Sequence, residues 1–149
     1  MNALQALIFD VDGTLADTER DGHRPAFNHA FADLGLDWQW DEALYTELLH
    51  ISGGKERVLH YWKVMHPDLR EVGGMALQES VNRLHEFKTA AYESTIHSGV
   101  VGLRPGVYRL MEEALSQGLQ LAIATTTSPV NVAALLRHAM GSDWRSHFA

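Results

Sequence analysis

The chain has 149 residues, a length that suits one domain or one domain carrying an insertion, and its 46% hydrophobic and 21% charged content is that of an ordinary folded protein. Nineteen acidic residues against 12 basic ones give a formal net charge of −7, which argues against a sequence-independent grip on nucleic acid and leaves an anionic ligand to be held by local cations and backbone amides. The lack of cysteine excludes disulfides, thiolate metal sites and cysteine nucleophiles, and fits a reducing cytoplasm.

In chain order, Met1 to Ala6 carries no basic residue and leads towards Asp10, unlike a secretory signal, and no apolar stretch is long enough to span a bilayer. A cytoplasmic protein with no membrane partner is therefore expected, and nothing in the sequence points to a protein partner. Ala6-Leu7-Ile8-Phe9 is a continuous apolar run ended by Asp10 and a glycine turn, the pattern of a buried parallel strand. From Arg24 to Leu34, apolar Phe27, Ala30, Phe31 and Leu34 recur at helical spacing, with Pro25 in the first turn and Gly35 at the stop. Further helices are expected around Trp40, Leu44 and Leu48 with an Asp41 cap, around Val58, Leu59, Trp62 and Met65, and around Leu77, Val81, Leu84 and Ala91. After Arg104-Pro105-Gly106, Val107, Leu110, Met111, Ala114 and Leu115 trace an amphipathic helix. Gly118 stops it, and a second apolar run, Leu119 to Ala124, follows before a last helix from Val130 to Ala139.

The order strand, helices, helix, strand, helix predicts an α/β fold: an open parallel sheet, incomplete here, interrupted after its first strand by an all-α insert. The expected bounds are 1–15 with 100–149 for the α/β core and 16–99 for the helical cap. Ligands of such sheets lie beyond the carboxyl ends of the strands, so Asp10 and Thr125 can face one crevice despite their separation in sequence.

Asp10-Val11-Asp12-Gly13-Thr14 puts two carboxylates two residues apart on a tight loop. One can attack phosphorus while the other protonates the leaving oxygen, and a hard cation such as Mg²⁺ can neutralise the crowded oxygens. A solvated Asx turn is the plainer alternative. A calcium loop is excluded, since its sixth position would be Leu15 instead of glycine and its twelfth Asp21 instead of glutamate. At the other strand, Thr125-Thr126-Thr127-Ser128-Pro129 joins hydroxyls to a helix start, where unpaired N–H groups and a positive partial charge favour an anion; the plainer reading is a β-prone threonine run before an ordinary cap. Ser52-Gly53-Gly54-Lys55-Glu56-Arg57 is a glycine-rich loop with two cations, suited either to an anion or to a solvated helix connection. Lys88 shares a helical face with Leu84 and Ala91, as a snorkelling edge residue or a cation aimed at a site. The nine histidines show no H-x-H or H-E-x-x-H spacing.

Leu7-Ile8-Phe9-Asp10-Val11-Asp12-Gly13-Thr14-Leu15 resembles the first signature of the haloacid dehalogenase superfamily. That resemblance implies an aspartyl-phosphate mechanism in which Asp10 is the nucleophile, Asp12 is the general acid and base, both belong to a Mg²⁺ site, and Thr125, with Thr126 and Thr127 beside it, binds the phosphate. Asp12 to Glu19, Gly22-His23-Arg24 and Ala26-Phe27-Asn28 are similar to the CbbY branch, close to β-phosphoglucomutase, over nearly the whole chain. By that similarity Glu19, His23, Gly53, Gly54, Lys55, Arg57 and Lys88 bind the substrate alongside Asp10, and the substrate is a small phosphorylated sugar, xylulose 1,5-bisphosphate, an inhibitor of the carbon-fixing enzyme of the Calvin cycle. A phosphomutase and a non-catalytic phosphosugar-binding remnant are the alternative readings. The family's later signatures, a lysine and an acidic cluster, have no match after Lys88, so the sequence reads as C-terminally truncated, with weak Mg²⁺ binding and little turnover expected of these residues alone.

Overall fold

Two short apolar runs far apart in the sequence pair as parallel strands in the computed structural model, which describes residues 4–149. Of the opening segment Met1 to Ala6, residues 1–3 lie outside the described residues. Strand β1 (Ala6–Phe9) lies beside β4 (Gln120–Ile123), with Leu7 opposite Leu121 and Phe9 opposite Ile123. Between them come α1 (Arg24–Asp33), α2 (Glu42–Leu48), α3 (Gly54–Met65), the hairpin strands β2 (Glu71–Val72) and β3 (Met75–Ala76), α4 (Leu77–His97) and α5 (Val107–Ser116); α6 (Pro129–Met140) follows β4. The fold is therefore mixed α/β with a parallel sheet, as the alternation of elements predicts.

The chain divides into two units. One is built from the described part of Met1–Asp21 with Thr95–Ala149, the other from Gly22–Ser94. In the α/β unit, Gln120 donates to the Gln5 carbonyl and Ala124 to that of Phe9, extending the parallel ladder past both ends of the strands, while Ala149 donates to the Leu121 carbonyl on β4 at 2.8 Å. Leu121 is fully buried, but Ile8 is 69% exposed. The strand is thus not buried along its whole length as its unbroken apolar run predicts. Such a run presupposes cover on both faces, and among the described residues the parallel sheet has only two strands. Ser128 caps α6 by accepting from Asn131 N–H, with Pro129 in the first turn.

The helical unit is organised by aromatic rings. Phe27 and Phe31 on α1 meet Trp40 at centroid distances of 4.9 Å each, and Trp38 packs edge-on against Trp62 at 5.2 Å. Trp40 lies outside any helix, directly before the Asp41 cap, whose carboxylate accepts from Leu44 N–H at 2.8 Å. Asn28 holds it there: its carboxamide accepts from the Trp40 N–H at 2.8 Å and donates to the Trp40 carbonyl at 3.0 Å. One side chain thereby satisfies both backbone groups of a wholly buried residue, as an antiparallel strand partner would. The hairpin joining β2 to β3 turns through Gly73-Gly74, both at positive φ, with Val72 opposite Met75.

Replacing Asn28 with alanine leaves the buried Trp40 N–H without its partner and the Trp40 carbonyl with only the Arg24 guanidinium at 3.3 Å, and should cost about 1–3 kcal/mol. Urea denaturation followed by tryptophan fluorescence measures it, and a loss below about 0.5 kcal/mol would show that another group takes over the carboxamide's role.

Candidate active site

The loop after β1 is a compact backbone structure. The Val11 carbonyl accepts from the N–H groups of Thr14, Leu15 and Ala16, at 3.2, 3.0 and 3.3 Å, and Gly13 N–H donates to the Ala16 carbonyl at 2.8 Å. Gly13 takes φ +73°, which an L side chain adopts only with strain. Val11, Leu15 and Ala16 are completely buried beneath the turn, leaving Asp10 exposed just beyond the last strand residue and Asp12 half-buried. The two aspartates therefore share a rigid mount.

The carboxylate of Asp12 is held from two directions. Its Oδ1 accepts from the Thr18 hydroxyl at 2.5 Å, and its Oδ2 accepts from the hydroxyl of Thr127, which lies 115 positions away in sequence. Thr18 is completely buried. The Thr127 N–H donates to the Thr125 hydroxyl at 3.2 Å, so the threonine segment folds on itself at the end of β4. The structure thus joins Asp12, Thr125 and Thr127 through direct contacts; Thr126 is exposed in the same turn.

Two residues of this arrangement were not legible as site residues. Thr18 sits in an unremarkable polar stretch, and only its contact with Asp12 shows its use. Arg104 donates to the Gly13 carbonyl at 3.0 Å, its guanidinium lies 3.6 Å from the Asp17 carboxylate, and its own N–H donates to the Leu15 carbonyl at 2.8 Å. It braces both sides of the acidic turn. Nothing in its sequence setting, an Arg-Pro-Gly before a helix, marks it beyond a turn.

In the helical unit, His23 and Lys88 are each only 6% exposed. The Lys88 ammonium lies 2.8 Å from His23 Nδ1, and since an ammonium has only donors, the ring nitrogen accepts. Tyr92 stacks on the His23 ring at 4.2 Å, and the ammonium sits 5.3 Å from the Phe27 ring centroid and 5.2 Å from that of Tyr92, where aromatic faces offset part of the cost of burying the charge. Of the two sequence readings of Lys88, the snorkelling edge residue does not match this burial. Gly53 and Gly54 open α3, Gly53 at φ +90°; a side chain on Gly54 would meet Phe27 Cζ at 3.3 Å. Lys55 is exposed and donates to Asn82 Oδ1 at 2.9 Å. Arg57 is buried and directed into its own unit: it donates to the carbonyls of Leu48 and Ile51, each at 3.1 Å, and to the Tyr45 hydroxyl at 3.0 Å. Glu19 begins a π-helical turn, Glu19–His23, and is half-buried.

For Mg²⁺, Asp10 and Asp12 offer the hard oxygen donors the ion prefers. Among the described residues no group of three or more histidines, cysteines, aspartates or glutamates is arranged to hold a metal, so the donor set fits as part of a coordination shell. Among the described residues, no helix is long and apolar enough to cross a membrane.

A family model described as haloacid dehalogenase-like hydrolase matches residues 4–149. Protein CbbY, plasmid, of Cupriavidus necator is 53% identical over 146 residues, covering 98% of this chain and 56% of that protein. The crystal structure of CbbY from Rhodobacter sphaeroides in complex with phosphate is similar with a TM-score of 0.81 and 43% identity, over 98% of this chain and 61% of that one. A mutant of the same protein in complex with xylulose 1,5-bisphosphate gives a TM-score of 0.81 at 42% identity, with the same coverage. This chain spans less than two thirds of the length of each of these relatives.

Replacing Arg104 with alanine removes the brace from a half-exposed position, so the stability loss should stay near 1 kcal/mol. Its local effect should be larger, with amide hydrogen exchange at residues 13–16 accelerated about tenfold; unchanged exchange there would mean that the turn holds its shape unaided.

Proposed function

Because this chain belongs to the haloacid dehalogenase-like hydrolases, we propose that it carries the nucleophile and acid–base half of a phosphatase acting on a small phosphorylated sugar through an aspartyl-phosphate. The observation that carries the reading is the Thr127–Asp12 hydrogen bond, which ties the loop after β4 to the loop after β1. It brings the two sequence motifs into direct contact, which supports reading them together as a nucleophile, an acid–base and phosphate donors.

In the first step a carboxylate oxygen of Asp10 attacks phosphorus, the P–O bond to the sugar breaks, and the carboxyl group of Asp12 gives its proton to the departing sugar oxygen. In the second, Asp12 takes a proton from water, the hydroxide attacks phosphorus, and the acyl phosphate bond breaks to release inorganic phosphate and restore Asp10. Thr18 and Thr127 hold the Asp12 carboxylate in one orientation through both steps, which is the positional order that such transfers require. Thr125 and Thr126 with their backbone amides would receive the phosphoryl oxygens. Asp10 and Asp12 would hold Mg²⁺, which when bound offsets the negative charge gathered between carboxylates and phosphate.

In this reading the helical unit is the cap, and it recognises the second phosphate of a bisphosphate through Lys55 and the buried Lys88 with His23, while Gly53 and Gly54 allow close approach and Glu19 meets a sugar hydroxyl. Arg57 shapes that loop by anchoring the end of α2. Xylulose 1,5-bisphosphate is the proposed substrate, supported by its presence in the crystal structure of the similar Rhodobacter sphaeroides protein.

The test is phosphate release from xylulose 1,5-bisphosphate by the full-length protein that contains this sequence, with and without Mg²⁺. Asp10→Asn should lower kcat at least about a thousandfold with binding retained, and chelation should do the same reversibly. Appearance of an isomeric sugar phosphate without free phosphate would make the protein a mutase, and binding with no turnover in either form would make it a phosphosugar-binding protein.

A further inference from the structure

On α4, Asn82, His85, Lys88 and Tyr92 recur at helical spacing and lie along one face. Three of them already have roles in the helical unit: Asn82 receives Lys55, and Lys88 and Tyr92 enclose His23. His85 lies between them in sequence and is half-buried. Its ring edge closes on the start of α3, where a side chain added to Gly54 would meet His85 Cδ2 at 3.6 Å, Nε2 at 3.8 Å and Phe27 Cζ at 3.3 Å. The same Phe27 ring lies beneath the Lys88 ammonium. Gly54 is therefore walled by the imidazole on one side and the phenyl ring on the other.

The charges around this imidazole are unbalanced. Lys55 and Glu56 face it from α3 and Lys88 from α4, and His23 lies beyond Lys88. Burial lowers the His85 pKa from its ordinary 6.5, Lys88 and Lys55 lower it further, and only Glu56 opposes them. The imidazole is thus unprotonated at pH 7, held so first by its burial and then by two cations facing it against one carboxylate. A further anion brought beside Lys55 and Lys88 offsets their repulsion and favours the protonated ring.

We propose that His85 is a specificity residue of the helical unit, taking up a proton to become a third cation when a phosphate group is bound beside Lys55 and Lys88. The proposal rests on the phosphosugar reading above, and it makes ligand binding and proton uptake one event at this residue. Affinity should rise as pH falls through the range between the ring's pKa in the free and the liganded protein. The effect on folding has the opposite sense. The unfolded chain, with an ordinary imidazole, protonates first, so the contribution of neutral His85 to stability is intact above about pH 6.5 and falls away below it.

The experiment is calorimetric titration of xylulose 1,5-bisphosphate into the full-length Asp10→Asn protein, with and without His85→Gln, at pH 6 and pH 8, in buffers of different ionisation heat. The ligand's own phosphate ionisation is common to both proteins and cancels in the comparison. At pH 6 the His85→Gln protein should bind roughly threefold more weakly, because a rise of about one pKa unit on binding yields its full tenfold only well below the free ring's pKa. At pH 8 the two should bind equally. The protein with His85 should also take up a larger fraction of a proton on binding, and His85→Lys should restore tight binding at both pH values while keeping only the pH dependence that the His85→Gln protein shows. Equal proton uptake with and without His85, both binding, overturns the role of His85 alone; no binding by either protein overturns the phosphosugar reading and this proposal with it.

Discussion

The parallel register of β1 and β4 is the constraint on which the candidate site depends. With Phe9 opposite Ile123, the strands end side by side, and the segments leaving them have nowhere to go but past one another. The Val11 carbonyl gathers three amides into the first of these segments, and the Thr125 hydroxyl closes the second upon itself. Thr127 then reaches Asp12 without a long or flexible side chain. The short reach of a threonine is informative, because such a bond forms only where the two backbones are already positioned. The strand pairing supplies that positioning.

The helical unit solves a different problem. It is small, and its core consists mainly of rings whose edges and faces interlock around Trp40 and Trp38, an economical way to fill volume because each ring buries a large area with few rotatable bonds. Rings also permit polar groups to be buried among them. The Lys88 ammonium, at 6% exposure, lies between two aromatic faces and an imidazole nitrogen, and the Arg57 guanidinium donates to carbonyls at the end of α2. Both cations sit in the core of a unit whose parent chain is acidic overall, so the positive potential they create is local and shielded from the bulk field.

Much of this was legible in the sequence, and the remainder was hidden for identifiable reasons. The two apolar runs, the Asp41 and Ser128 caps and the acidic loop announce themselves because each rests on short-range chemistry: an unbroken apolar stretch, a hydroxyl or carboxylate before a helix, a glycine in a turn. Tertiary contacts leave no such mark. Thr18 and Arg104 look like ordinary polar residues until a partner at Asp12 or Gly13 appears, and the inward turn of Arg57 depends on where the α2 terminus falls. The exposure of Ile8 was hidden too, since an apolar run records the need for cover and does not say which element provides it. The Gly73-Gly74 hairpin leaves little trace in the sequence because its strands are only two residues long, too short for a period to show.

Gly13 and Gly54 carry different kinds of intolerance to change. At Gly13 the obstacle is the dihedral angle: φ is +73°, yet a side chain there would meet nothing within 4 Å. Asparagine or aspartate, which visit this region at modest cost, could stand in for it, whereas a β-branched residue could not. At Gly54 the backbone is ordinary and the obstacle is the Phe27 ring at 3.3 Å, so a substitution there would be felt first by the aromatic core. The acidic turn therefore drifts under a conformational filter and the start of α3 under a volumetric one. A second change in the neighbouring ring can relieve the volumetric filter; no neighbouring change relieves the conformational one.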